Sequence, residues 1–191
     1  MAENKVNFGL SNVYYAVLTE GTTNSWENPV HVPGAVSLTI DDNSTSTPFY
    51  ADNITYYRSF ANNGYSGTLE MARIPEAMLA DIFGIEENTT DKVIYEYSNV
   101  QPKPFALLFQ REGDDSAELA CLYKVTPTTK PTRGTSTIED APSPVTQSFE
   151  FEASPLTTGA TAQVGLISAM TAADTAEATK TSWFTAVKVP A

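Results

Sequence analysis

Apolar and polar residues alternate with a period of two through much of this chain, most plainly over residues 104–126. Phe105, Leu107 and Phe109 alternate with Ala106, Leu108 and Gln110, and further on Leu119, Cys121, Tyr123 and Val125 alternate with Glu118, Ala120, Leu122 and Lys124. Between them lie Glu112, Gly113, Asp114, Asp115 and Ser116, residue types that suit a tight turn. Side chains of a strand point to opposite faces in turn, so this pattern predicts a β-hairpin with one strongly apolar face. A hairpin alone is marginal in water, and the rest of the chain is expected to supply more strands and a second layer. The alternation returns over 145–153, where Val145, Gln147, Phe149, Phe151 and Ala153 oppose Thr146, Ser148, Glu150 and Glu152.

The same reading predicts strands over 12–19, 30–32, 35–41 (Val36, Leu38 and Ile40 inward), 65–74, 93–97 and 183–189. Residues 47–60 are dense in aromatics and read as two short strands about an Asp52-Asn53 turn. In a monomer Phe49, Tyr50, Tyr56, Tyr57 and Phe60 belong to the core; in an oligomer they suit a contact surface. The clearest helix spans about 75–83. Pro75 and Glu76 favour its start, Gly84 ends it, and Met78, Leu79, Ile82 and Phe83 form one stripe. A short exposed helix is expected within 171–180, and residues 162–170 are too mixed to assign. Residues 127–144 hold four prolines and many Thr and Ser. So long a connection is either a surface loop or an arm that orders on a neighbouring subunit. The chain thus reads as a single mainly-β domain over residues 1–191.

Composition narrows the function. Asp and Glu outnumber Lys and Arg by 23 to 11, a net charge of −12, without any basic cluster that would displace counterions from nucleic acid. Such acidity serves solubility, or a surface that must not hold DNA. The one cysteine, Cys121, lies on a predicted strand face and reads as a buried structural thiol. The only histidine, His31, has no nucleophile motif around it, and no phosphate-binding loop, dinucleotide fingerprint or Cys/His metal spacing occurs. The adjacent acids Asp41-Asp42, Asp114-Asp115 and Glu139-Asp140 read as solvated turns rather than a calcium loop. No catalytic residue, cofactor or metal ligand is expected. The first residues show no hydrophobic signal region and no run reaches membrane-spanning length.

Several stretches in order resemble the major tail proteins of long-tailed bacteriophages, the phi13-type family. They are Phe8-Gly9-Leu10-Ser11-Asn12-Val13-Tyr14-Tyr15-Ala16, Phe49-Tyr50-Ala51-Asp52-Asn53, Gly64-Tyr65-Ser66-Gly67-Thr68-Leu69-Glu70-Met71-Ala72, Phe105-Ala106-Leu107-Leu108-Phe109 with Gly113-Asp114, and Trp183-Phe184. The resemblance implies a β-sandwich or barrel-like tail-tube fold with one packed helix, and no enzyme activity. It implies hexameric rings that stack into the conduit for DNA ejection, assembled in the host cytoplasm and residing in the virion. The partners would be further copies, the tape measure, terminator and baseplate initiator proteins, and passing DNA that is not bound tightly; no membrane is involved. Glu70, Glu96, Glu118, Glu150 and Glu152, on the outer faces of predicted strands, are the candidate lumen acids. Phe49, Tyr50, Asp52, Tyr56, Tyr57, Lys130 and Arg133 are the candidate subunit interface. The alternatives are a monomeric immunoglobulin-like or carbohydrate-binding module, in which Trp26, Tyr56 and Tyr57 stack on a sugar, and another virion part such as a tail terminator or capsid decoration protein.

Overall fold

The computed structural model describes residues 4–113, 115–135, 137 and 144–190. Its strands are β1 (Asn7–Thr19), β2 (Ser25–Trp26), β3 (Val30–His31), β4 (Ala35–Asp42), β5 (Thr45–Ala51), β6 (Ile54–Ala61) and β7 (Tyr65–Met71). Helix α1 (Glu76–Phe83) follows, then β8 (Glu86–Glu87), β9 (Ile94–Tyr95), β10 (Phe105–Gly113), β11 (Glu118–Pro127), β12 (Gln147–Ala153), β13 (Ser168–Met170) and α2 (Glu177–Thr181). The fold is mainly β, as the alternation predicts. A nine-stranded antiparallel sheet runs β2-β1-β10-β11-β12-β7-β4, with β13 added to β11 and β3 to β1.

The sheet curls because one edge of β11 serves two neighbours in turn. Ala120, Cys121 and Leu122 pair with β13, and Val125, Thr126 and Pro127 pair with β12. Past that split, β12, β7 and β4 fold over the inner face, and β4 comes near β1 without pairing to it. The enclosed core holds Tyr15, Phe105, Leu107, Phe109, Leu122, Leu69, Met71, Phe149 and Phe151. Helix α1 lies against it through Met78, Ile82 and Phe83, with the Phe83 ring edge-on to Phe149 at 5.4 Å between centroids. Pro75 caps the helix in an extended conformation, and Gly84 closes it in the left-handed region (φ 62°), a position that favours glycine. The Tyr15 hydroxyl donates to Asp81 at 2.6 Å and ties the helix to β1.

The opening hairpin is buried on both faces, not one. Ala106, Leu108, Leu119, Cys121 and Tyr123 form a second core on the outer face with Ala16 and Leu18 from β1. Leu156 and Trp183, from the chain after β12, cover it. Val125, expected on the face of Tyr123, belongs instead to the inner core, because a register shift opposite Phe105 and Leu107 turns the strand over.

Other expectations need correction. The strand expected over 183–189 is turn and irregular chain. At that place the edges of β11 are already taken, so the segment lies across the sheet face, with Trp183 buried and Phe184 stacked on Tyr14 at 4.6 Å. The strand over 93–97 shrinks to Ile94–Tyr95, so Glu96 lies outside any strand. The strand of 65–74 stops at Met71 ahead of the turn into Pro75. The first strand begins at Asn7, five residues early, and is kinked at Gly9 and Asn12, both at positive φ. Asp41 and Asp42 close a strand rather than sit in a turn, while the acids at 114, 139 and 140 lie outside the described residues. Val36 is exposed, because a bulge between Ala35 and Ser37 interrupts the alternation of β4; Leu38 and Ile40 pack on the core as expected.

Candidate assembly surface

β5 continues from β4, and β6 runs on into β7, so residues 35–71 form one long ribbon whose outer half leaves the body. Asn62, Asn63 and Gly64 knit its base. The Asn43 amide donates to the Gly64 carbonyl at 3.0 Å, and the Ser66 hydroxyl donates to Asn43 Oδ1 at 3.1 Å. Gly64 has φ 93°, and a Cβ there would sit 1.9 Å from the Ala153 carbonyl oxygen, so only glycine lets the ribbon pass over the end of β12. At the tip Ala51 pairs with Ile54 across Asp52 and Asn53, both at positive φ, as a two-residue hairpin turn of the primed type requires. A seven-residue strand extends about 23 Å at the usual rise.

Among the described residues nothing covers this arm on either face. Phe49 pairs with Tyr57, Tyr50 with Thr55, and Tyr56 is the extra residue of a bulge. Phe49, Tyr50, Ile54, Tyr56, Tyr57 and Phe60 each expose between 60% and 72% of their surface. The core reading of these aromatics is therefore overturned. The segment is too short of neighbours to be core: a two-stranded ribbon has only its own partner strand to bury against.

The outer face of β4, β7 and β12 is the opposite in character. The register sets Ser37, Glu70 and Ser148 in one row, Thr39, Thr68 and Glu150 in the next, and Asp41, Ser66 and Glu152 in the third. These nine positions carry four carboxylates, five hydroxyls and no cation. Glu70 accepts from the Thr146 hydroxyl at 2.5 Å and from Ser37 at 2.8 Å. Those two bonds, Thr146 first, hold its carboxyl below the usual glutamate range.

Three of the five candidate lumen acids, Glu70, Glu150 and Glu152, thus share one face. The other two do not join them. Glu118 lies beside Arg111 at 3.0 Å, and Glu96 takes Lys130 and Arg133. Asp41 completes the face although its place beside Asp42 reads as a turn in the sequence; the alternation of 35–41 is the signal that could have found it.

Lys130 and Arg133 belong to a strap, residues 127–133, that closes the edge of β12 in its own chain. Thr132 donates its amide to Ser148 and Thr128 to Glu150, at 2.8 and 2.9 Å. The hydroxyls of Thr132 and Thr129 accept from the amides of Ser148 and Glu150 in return. Hydrogen bonding and attraction to Lys130, with Arg133 beyond, hold the Glu96 carboxyl below its ordinary value.

The other chemistry-bearing groups singled out in the sequence each have neighbours within the fold. Cys121 is buried and its thiol pKa is pushed up by desolvation. His31 leans on the Tyr14 ring at 4.9 Å. Trp26 is turned inward, donating its Nε1 to the Tyr123 carbonyl at 3.0 Å, and so cannot join Tyr56 and Tyr57 in a sugar platform. Among the described residues no group of three or more His, Cys, Asp or Glu is placed to hold a metal, and no helix is long and apolar enough to cross a membrane. In comparisons with known proteins, no family model matches this chain and no curated protein matches it.

Proposed function

We propose that this chain is a structural subunit that polymerises into the tail tube of a long-tailed bacteriophage, with the polar face of β4, β7 and β12 lining the conduit for DNA. The observation that carries this reading is the arm, a ribbon with rings exposed on both faces. Water does not favour such a ribbon, and a second protein surface that buries it does. A repeated head-to-tail contact between two different surfaces closes rings or extends filaments. The acid face supports the second half of the reading. Four carboxylates among hydroxyls repel phosphate, and none of the nine positions carries a cation to grip it, so a polyanion passes that face without being held.

Electron microscopy of the concentrated protein, with light scattering on the same sample, tests the reading. Hollow tubes of stacked rings support it. Closed single rings would move the protein to a terminator role. A monomer that binds glycans would replace the reading with a carbohydrate-binding one. For the lumen, Glu150→Lys with Glu152→Lys should leave tubes that form but retain DNA; tubes still indifferent to DNA would remove that face from the channel.

A further inference from the structure

The body carries a concave counterpart to the arm. Between the first half of β1 and the outer edge of β4 runs an open groove of about 470 Å³, lined by Phe8, Leu10, Val36, Leu38 and Phe109, with Arg111 at one side. Phe8 and Val36 are 58% and 51% exposed. Each of the two strands that wall it is paired on one side, β1 with β10 and β4 with β7, and among the described residues has its other edge open there. β4 pairs only with β7, and the cover on β1 from β2 and β3 reaches only Tyr14, Tyr15, Leu18 and Thr19. Open strand edges beside a trough that holds apolar side chains accept an added ribbon readily.

We propose that this groove is the socket for the hairpin tip of a second copy of the chain, with Asp52 of the incoming tip set against Arg111. The proposal rests on the self-assembly reading above and deepens it by naming both halves of the contact. Three features point to this occupant. The first is supply. The arm and the groove are present once each in every copy, and β5 carries the tip away from Val36, so the tip of the same chain does not fill the groove. The second is size. An apolar cavity of about 150 Å³ takes one benzene ring, so the groove has room for two rings of the Phe49, Tyr50 and Tyr57 group. The third is charge. Arg111 Nε is buried without a hydrogen-bond partner, and Glu118 Oε1, although 3.0 Å from Arg111 Nη2, makes no hydrogen bond. Beyond its ion pair with Glu118 the Arg111 side chain keeps 35% of its surface exposed at the groove wall, with its guanidinium 5.5 Å over the Phe109 ring, so a further carboxylate can approach it. Asp52 is the one carboxylate of the tip, in a turn that presents it outward. A carboxylate meeting a partly desolvated guanidinium forms a charge-assisted bond and fixes register. The contact is heterologous, because tip and socket are different surfaces, and it therefore builds a closed ring or an open filament rather than a two-fold dimer.

Full-length variants test this in sedimentation velocity. The arm variant is Phe49→Ser with Tyr57→Ser, and the groove variant is Phe8→Asp with Val36→Asp; all four positions are exposed, and circular dichroism checks that each protein is folded. Each variant alone should need a roughly 100-fold higher concentration to associate. Mixed in equal amounts they should form dimers and stop, because one intact arm meets one intact groove. A second pair guards against misfolding of the groove variant. Asp52→Arg should block assembly, and adding Arg111→Asp in the same chain should restore it. A groove variant that assembles like the wild type, a mixture that stays monomeric, or a double charge swap that stays blocked overturns the socket while leaving self-assembly standing. A wild type that remains monomeric up to about 1 mM, far above the range of specific protein association, overturns both.

Discussion

Replacing Trp183 should open one defined part of the molecule and leave a chemical record of it. Trp183 and Leu156 are the lid over the second core, whose floor includes Cys121, the only cysteine in the chain. Truncating a buried Trp to Ala costs about 3–5 kcal/mol. The lid is chain laid over a sheet face rather than a strand within it, so the loss falls first on local opening. Each 1.4 kcal/mol is tenfold in an opening equilibrium, so labelling of Cys121 by a thiol reagent under native conditions should accelerate by roughly 10²–10³. Melting should fall by roughly 6–20 °C for a chain of this size. Trp183→Phe separates packing from polarity. The indole Nε1 is buried with no hydrogen-bond partner, a condition that costs about 1–3 kcal/mol. Phe removes that donor while keeping a ring in place, and its Cys121 labelling should stay within about tenfold of wild type. The assay is the pseudo-first-order labelling rate followed by mass spectrometry. Labelling of Trp183→Ala at the wild-type rate, or of Trp183→Phe as fast as Trp183→Ala, would refute the reasoning.

Gly67→Ala should destabilise by about 1–3 kcal/mol or more and loosen β4, since a Cβ there stands 2.2 Å from the Thr39 carbonyl oxygen and 2.7 Å from the Phe151 ring; thermal melting and amide exchange in β4 would check it. Phe49→Ser with Tyr57→Ser should shift the melting temperature by no more than about 2 °C, because the rings bury little in the monomer, yet remove tubes from the micrographs; a large loss of monomer stability would mean the arm packs on its own body. Thr146→Val should move the titration midpoint of Glu70, read by carboxyl carbon resonances, up toward the ordinary glutamate value. The folded value is depressed, so these hydroxyl bonds add stability above the unfolded pKa and lose it as pH falls through the folded one; an unmoved midpoint would remove Thr146 as the cause. Lys130→Ala should raise the midpoint of Glu96 in the same way and make the 127–133 strap more accessible to protease at neutral pH, and unchanged cleavage would show that the threonine bonds alone hold it.

The period-two pattern determined a good deal by itself. It named the strands that are buried on one face, such as 147–153 with Phe149 and Phe151 in and Glu150 and Glu152 out, because there the environment of each side chain alternates as the backbone does. Local chemistry likewise placed α1 between Pro75 and Gly84 and the turn at Asp52-Asn53. What a strand faces is a different matter. In β10 and β11 both sets of alternating residues are apolar enough to be buried, and only the path of the chain after β12 decides that a second core exists. The rings of residues 47–60 are the same rings whether buried or bare, and their exposure follows from the ribbon outrunning every other layer. The candidate acids show the same division. Alternation put Glu70, Glu150 and Glu152 on strand faces, but strand order and register brought them to one face beside Asp41, and side chains distant in sequence, Lys130, Arg133 and Arg111, drew Glu96 and Glu118 away. Propensity and pattern act over a few residues, whereas strand partners and ion pairs join positions that only the folded chain brings within reach.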